Sequence, residues 1–154
     1  MAAAMGARML FLIILIVLVQ LLVLGYAVKC GDRVIRMAAL WFAASVFLHA
    51  ALSFGGVSSP TLHLVNDGLY ATGLLPLAFF SVSPWIGALA LLACGSFVLQ
   101  SLYLLNDRPT DWTFTYVNDA IMVAYLLTFL AGTTASVISR RRARPLQAAS
   151  LAAA

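Results

Sequence analysis

Ser81-Val82-Ser83-Pro84-Trp85 lies inside an apolar run from Thr61 to Leu105, and its reading decides the fold. As a single helix the run's 45 residues would measure about 67 Å, more than twice a hydrocarbon core of about 30 Å. The chain must turn back, and these residues suit a turn. Ser83 fits a helix N-cap, Pro84 fits the first helical position, where its missing N–H costs nothing, and Trp85 fits a membrane interface. The run therefore divides into two crossings, at about 62–82 and 84–105. Pro76 in the first predicts a kink whose freed carbonyl a neighbour must satisfy.

Outward from this turn the pattern repeats. On the C-terminal side a polar connector, Asn106-Asp107-Arg108-Pro109-Thr110-Asp111-Trp112-Thr113, leads to an apolar run at 114–139, followed by basic residues and an Ala-rich tail, 146–154, expected to be disordered. On the N-terminal side Gly55-Gly56-Val57-Ser58-Ser59-Pro60 closes a run at 37–56. A loop from Lys29 to Arg36 separates that run from the first one, at 9–28, which is too long for the apolar core of a typical signal peptide. The first run is poor in small residues, which predicts a peripheral, lipid-facing helix. The expected fold is all-α: a polytopic membrane helical bundle of five transmembrane helices in one domain, 1–145.

Composition points the same way. The chain is 64% hydrophobic and 9% charged, with a mean hydropathy of +1.03, which places it in the membrane class. Its pI of about 9.5 does not argue for nucleic acid, because basic groups beside apolar spans set membrane orientation. With five spans, Lys29, Arg33, Arg36, Arg140, Arg141, Arg142 and Arg144 fall on one side and only Arg8 and Arg108 on the other. That asymmetry predicts a cytoplasmic C-terminus and an outside N-terminus, in a bacterial inner membrane. Cys30 and Cys94 fall too far apart on this topology to form a disulfide.

Two matched stretches suggest a duplication. Val65-Asn66-Asp67 and Val117-Asn118-Asp119 each open an apolar run, and Ala44–His49 aligns with Gly95–Gln100 at nearly the same offset. The implied unit is a helical hairpin present twice, about an axis along the membrane normal. Gly68 and Thr72 then correspond to Ala120 and Ala124, a small-residue spacing that lets helices approach closely.

The candidate polar or ion site consists of Asn66, Asp67, Asn118, Asp119, His49 and His63. Two readings of the Asn-Asp pairs stay open. They cap the entrances of the third and fifth helices, or Asp67 and Asp119 approach closely enough to share a proton or a cation. His63, Asp67, Asp119 and His49 are chemically acceptable ligands for a divalent ion, although their spacing matches no metal motif. Bis-histidine haem is disfavoured, since His49 should lie about 10 Å deeper than His63. No cofactor is expected.

No nucleophile elbow, zinc-protease, phosphate-loop or C-x-x-C motif is present, so an enzyme is not the favoured class. The expected partners are the lipid bilayer and either a larger membrane protein or further copies of the chain. An accessory or interaction subunit is the first expectation. The alternative is an oligomeric transporter or channel for a small solute, proton or cation, including a holin-like pore.

Overall fold

The computed structural model describes residues 2–56 and 59–152, with side chains described for 11, 14–56 and 59–143. Arg8 and Arg144, both used in the charge count, lie outside the described side chains. The chain forms five helices: α1 (Ala2–Cys30), α2 (Arg33–Phe54), α3 (Pro60–Phe80), α4 (Pro84–Leu105) and α5 (Trp112–Ala152). No strand occurs among the described residues. The chain turns between α3 and α4 at 81–83, with Ser83 extended before Pro84 at the head of α4; the Ser83 side chain makes no capping hydrogen bond, so the proline at the first helical position carries that boundary.

The other helix ends also have identifiable causes. Asp32 caps α2 by accepting a 2.8 Å hydrogen bond from the Ile35 amide. Gly56, at φ +71°, takes the left-handed conformation that ends α2, where a Cβ would be strained. Asp107, at φ 47°, does the same after α4, and the Arg108 amide returns to the Tyr103 carbonyl at 3.0 Å. Pro76 does not break α3, which continues to Phe80. α5 is 41 residues long and stays helical through 146–152, where the sequence suggested an unstructured tail.

Each helix packs on its sequence neighbour, and α1 also packs on α5. α2 alone approaches all four other helices closely, whereas the α3 and α5 backbones stand apart and meet through side chains such as Tyr70 and Tyr125. The core is a stripe of small and aromatic side chains. α2 contributes Ile35, Ala38, Ala39 and Phe42, and α4 contributes Ile86, Leu89, Ala90 and Ala93, both at helical i, i+3, i+4, i+7 spacing. The alanines bring the backbones together, and Phe42 fills the space between, its ring 5.5 Å from Tyr70, 5.1 Å from Tyr125 and 5.5 Å from Phe129.

This packing is concentrated toward the end of the bundle that carries Gly31, Asp32 and residues 81–83. Gly132 of α5 faces Trp85 and Ile35 there, and Arg140 donates to the Cys30 carbonyl. Lys29, Arg33, Arg36 and Arg140–Arg142 share this end, called below the basic end. The opposite end, with the 55–59 and 106–111 links, is more polar and less filled.

Three helical segments are long and apolar enough to cross a membrane: Arg33–Phe54, Pro84–Leu105 and Trp112–Ala143. The described apolar part of α1, Ile14–Cys30, is shorter. α3 is not among the three, and it carries His63, Asn66 and Asp67 in its first turns. α1 is only half peripheral. Leu24 and Ala27 are buried in the core, while Ile14–Val19, Leu21 and Leu22 are exposed on every side of the helix.

Candidate functional site

The two Asn-Asp pairs are not at helix entrances. Asp67 lies seven residues after Pro60, the first residue of α3, and Asp119 lies seven residues after Trp112, the first of α5. Both are thus about 10 Å along their helices by the helical rise, where amides already bond within the helix and cannot be capped. The capping role belongs elsewhere. Asp111 accepts from the Phe114 amide at 2.8 Å at the start of α5, and α3 begins at Pro60 without a side-chain cap. Asp111 also accepts from the Tyr103 hydroxyl at 2.8 Å, and Arg108 stands 3.9 Å away. The Phe114 amide first, and then the Tyr103 hydroxyl, hold the Asp111 carboxyl below its ordinary value of 3.8.

Freed from capping, the first pair makes contacts across the bundle. Asn66 is buried, and its amide donates to the Ser45 hydroxyl at 3.0 Å and to the Ser45 carbonyl at 3.3 Å. Asp67 turns the other way, toward α4. Its Oδ2 accepts from the Ser96 hydroxyl at 2.9 Å and from the Gln100 amide at 2.7 Å. Both bonds fall on the same oxygen, and Asp67 lines a cavity. No Lys or Arg pairs with this carboxylate, and the described residues contain a single Lys/Arg–carboxylate ion pair, Arg108 with Asp111.

The two histidines meet. His49 Nδ1 and His63 Nδ1 are 3.0 Å apart and their ring centroids 4.1 Å apart. This corrects the depth difference expected from sequence. α2 ends at Phe54 and α3 starts at Pro60, so His49 sits five residues before one end and His63 three after the other. The resulting offset is about 3 Å along the helices, not 10 Å. A hydrogen bond between two Nδ1 atoms needs a proton on one ring and a lone pair on the other, so the pair is broken when both rings are charged.

Two neighbouring cavities with shared lining residues surround these groups. The outer one, about 510 Å³, lies at the polar end and is bordered by Pro60, His63, Asp107 and Arg108. The inner one, about 240 Å³, is lined by Ser45, Asn66, Asp67, Tyr70, Ser96 and Tyr125 among others. His49, Gln100 and Asn118 line both and form a collar between them. Tyr70 and Tyr125 are 5% and 4% exposed, and their hydroxyls have no hydrogen-bond partner. Buried hydroxyls without partners are costly, and their presence on a cavity wall marks that wall as a place for a polar occupant.

Not every expected residue joins this site. Asn118 borders the cavities, but Asp119 beside it is exposed on α5 and lines neither of them. Asp67 and Asp119 therefore have different surroundings and do not form a pair. Gly68 does not meet Ala120 either, because a Cβ added to it would stand 3.1 Å from the Phe97 ring of α4. Thr72 is exposed and bonds back to the Gly68 carbonyl at 2.8 Å, Ala120 is exposed, and the Ala124 carbonyl accepts from Thr128 on its own helix. A divalent-ion site on His63, Asp67, Asp119 and His49 is not assembled, since no three His, Cys, Asp or Glu side chains converge as a metal-binding group among the described residues. Ser96 and Gln100 were legible only as partners of Ser45 and His49 in the alignment. Tyr70 and Tyr125 gave no signal, because a tyrosine in an apolar run reads as core.

At the basic end the topology residues do structural work as well. Asp32 Oδ2 accepts from Ser136 at 3.0 Å and Arg140 donates to the Cys30 carbonyl, fastening the α1–α2 link to α5.

The fold and cavities define a helical bundle with membrane-compatible helices and a polar chamber at one end. No protein-family model, no curated protein and no solved structure matches the chain.

Proposed function

We propose that the protein is a small integral membrane protein of five spans that takes up a small cation or proton from the outer side, as an element of transport. The N-terminus is outside, the basic end is cytoplasmic, and the membrane is a bacterial inner membrane. The observation that carries this reading is Asp67, a carboxylate with no Lys or Arg partner on the wall of an inner cavity that shares His49, Gln100 and Asn118 with the outer one. An ionisable group within a span is costly unless it is used, and a cation or proton balances it. The chamber ends against the Phe42–Phe129 core, so passage needs a rearrangement or an assembly of several copies.

The experiment is flux into vesicles containing the purified protein. Proton or monovalent-cation flux is expected with the native chain, lost with Asp67→Asn and retained with Asp119→Asn. Equal flux in protein-free, native and Asp67→Asn vesicles overturns the reading.

An accessory subunit in a homo-oligomer is the second reading, favoured by the large apolar side chains of Ile14–Val19, Leu21 and Leu22, which are largely exposed. With Cys30 and Cys94 replaced by Ser, Leu18→Cys should form a disulfide between copies in the membrane. Its absence under oxidising conditions counts against that interface.

A further inference from the structure

We propose that the inner chamber is a binding site for a small organic ammonium ion, held at Asp67 between Tyr70 and Tyr125. The inference rests on the chamber being a solute site and adds the chemical class of the solute. Charge selects the sign first. Asp67 is the only carboxylate on the chamber wall, no Lys or Arg lines it, and His49 is its one basic residue, so with neutral His49 an anion would meet repulsion from Asp67. Size and wall chemistry then separate an organic cation from a bare metal ion. A chamber of about 240 Å³ has room for several heavy atoms, whereas a water molecule occupies roughly 30 Å³. A divalent metal would also need a converging ligand set, and no such group of acidic, His or Cys side chains forms among the described residues.

The polar atoms suit an ammonium head. Asp67 Oδ1 is not used by the two bonds that fix the carboxylate, because Ser96 and Gln100 both bond Oδ2. Those bonds hold the carboxylate in one orientation and leave its other oxygen for a ligand. Tyr70, three residues after Asp67, is on the same side of α3, and its ring centroid is 5.8 Å from that of Tyr125. Both hydroxyls are buried and unpartnered, and both tyrosines share the chamber wall with Asp67, so a small side-chain rotation offers them as acceptors. An ammonium carries three N–H donors and satisfies all three groups at once. The remaining wall includes Phe42 and Met122, which suit a short apolar body, and aromatic rings add attraction for the cation itself.

The test is binding to the full-length protein in detergent, followed by saturable thermal stabilisation and calorimetry. The probes are propylammonium, its neutral isostere propanol, propionate, sodium and potassium. Propylammonium is expected to bind saturably, with propanol and propionate inert. Asp67→Asn should weaken that binding by about tenfold or more, and Tyr125→Phe by about three- to tenfold. Asp119→Asn should leave it unchanged. Propylammonium binding that survives in Asp67→Asn overturns the proposal by placing the ligand elsewhere. Asp67-dependent binding of sodium or potassium without a propylammonium response overturns the ligand class while sustaining the chamber as a cation site. No response to any probe, together with the absence of Asp67-dependent flux, overturns both. The comparison of probes on the native chain decides the class even if a variant fails to fold.

Discussion

Gly73 and Trp41 illustrate how narrowly single residues set this bundle. The Trp41 indole donates to the Tyr70 carbonyl at 3.3 Å, and a Cβ on Gly73 would fall 2.2 Å from that indole nitrogen. Gly73→Ala therefore has to move a rigid ring that is already committed to a hydrogen bond. It should destabilise the protein by about 1–3 kcal/mol, read as a lower unfolding midpoint in detergent. Trp41→Phe, which removes the hydrogen bond but shortens the side chain, should relieve part of that penalty in the double variant. At the polar end, Asp111 sets an acid limit for the start of α5. Its carboxyl is held below its ordinary value in the folded state, so its contribution is fully present above the unfolded value of 3.8 and is lost as pH falls through the lower folded value. The protection of the Phe114 amide, its exchange relative to the intrinsic rate at the same pH, should fall over that acid range and not near neutrality. In Asp111→Asn the acid-dependent part of that change should vanish.

Helix ends and helix interiors are where reading the sequence succeeded and failed for different reasons. Ser83-Pro84 was legible because proline at a first helical position has a single strong local meaning. The Asn66-Asp67 pair was not, because Asn and Asp are common at caps, and only the position of Pro60 tells that α3 is already two turns old. Pro60 carried the needed signal but was grouped with the Gly-Ser loop before it. The aligned pairs Ser45/His49 and Ser96/Gln100 did mark the site, since i, i+4 residues on α2 and α4 share a face and both faces border the inner cavity. The histidine pair was misjudged by depth because a few residues of error at each helix end multiply by the rise per residue. A further element-scale prediction concerns the other end of the bundle. Asp32 caps α2 with one oxygen and holds Ser136 of α5 with the other. Asp32→Ala should cost about 1–2 kcal/mol, Ser136→Ala about 1 kcal/mol, and the double variant less than their sum, because both remove the same link.

Across the whole molecule, packing and polarity are separated along the bundle axis. The alanine and aromatic core gathers toward the basic end, and the two polar cavities, the histidines and Asp67 occupy the opposite half. A filled half gives the helices a fixed base, and the open half is where a solute can enter without dismantling it. α1 also breaks the symmetry that a duplicated hairpin would have. It packs on both α2 and α5, so those two helices touch only lightly, while their counterparts α3 and α4 pack extensively. The matched Asn-Asp pairs keep the same register in their helices yet end in unlike surroundings, which is why equal sequence did not predict equal roles. Charge follows the same axis. Lys29, Arg33, Arg36 and Arg140–Arg142 stand at one end and, among the described side chains, Arg108 is the basic residue at the other. Moving the basic group across a membrane is far less favourable than retaining it in the cytoplasm, so the chamber should open outward. In intact cells an impermeant maleimide should leave Cys30 unlabelled, and Thr110→Cys, at the rim of the outer cavity, should react readily. Labelling of Cys30 with protection of Thr110→Cys would invert the molecule. Asp67 would then draw its cation from the cytoplasm, and the direction of flux in oriented vesicles would reverse with it.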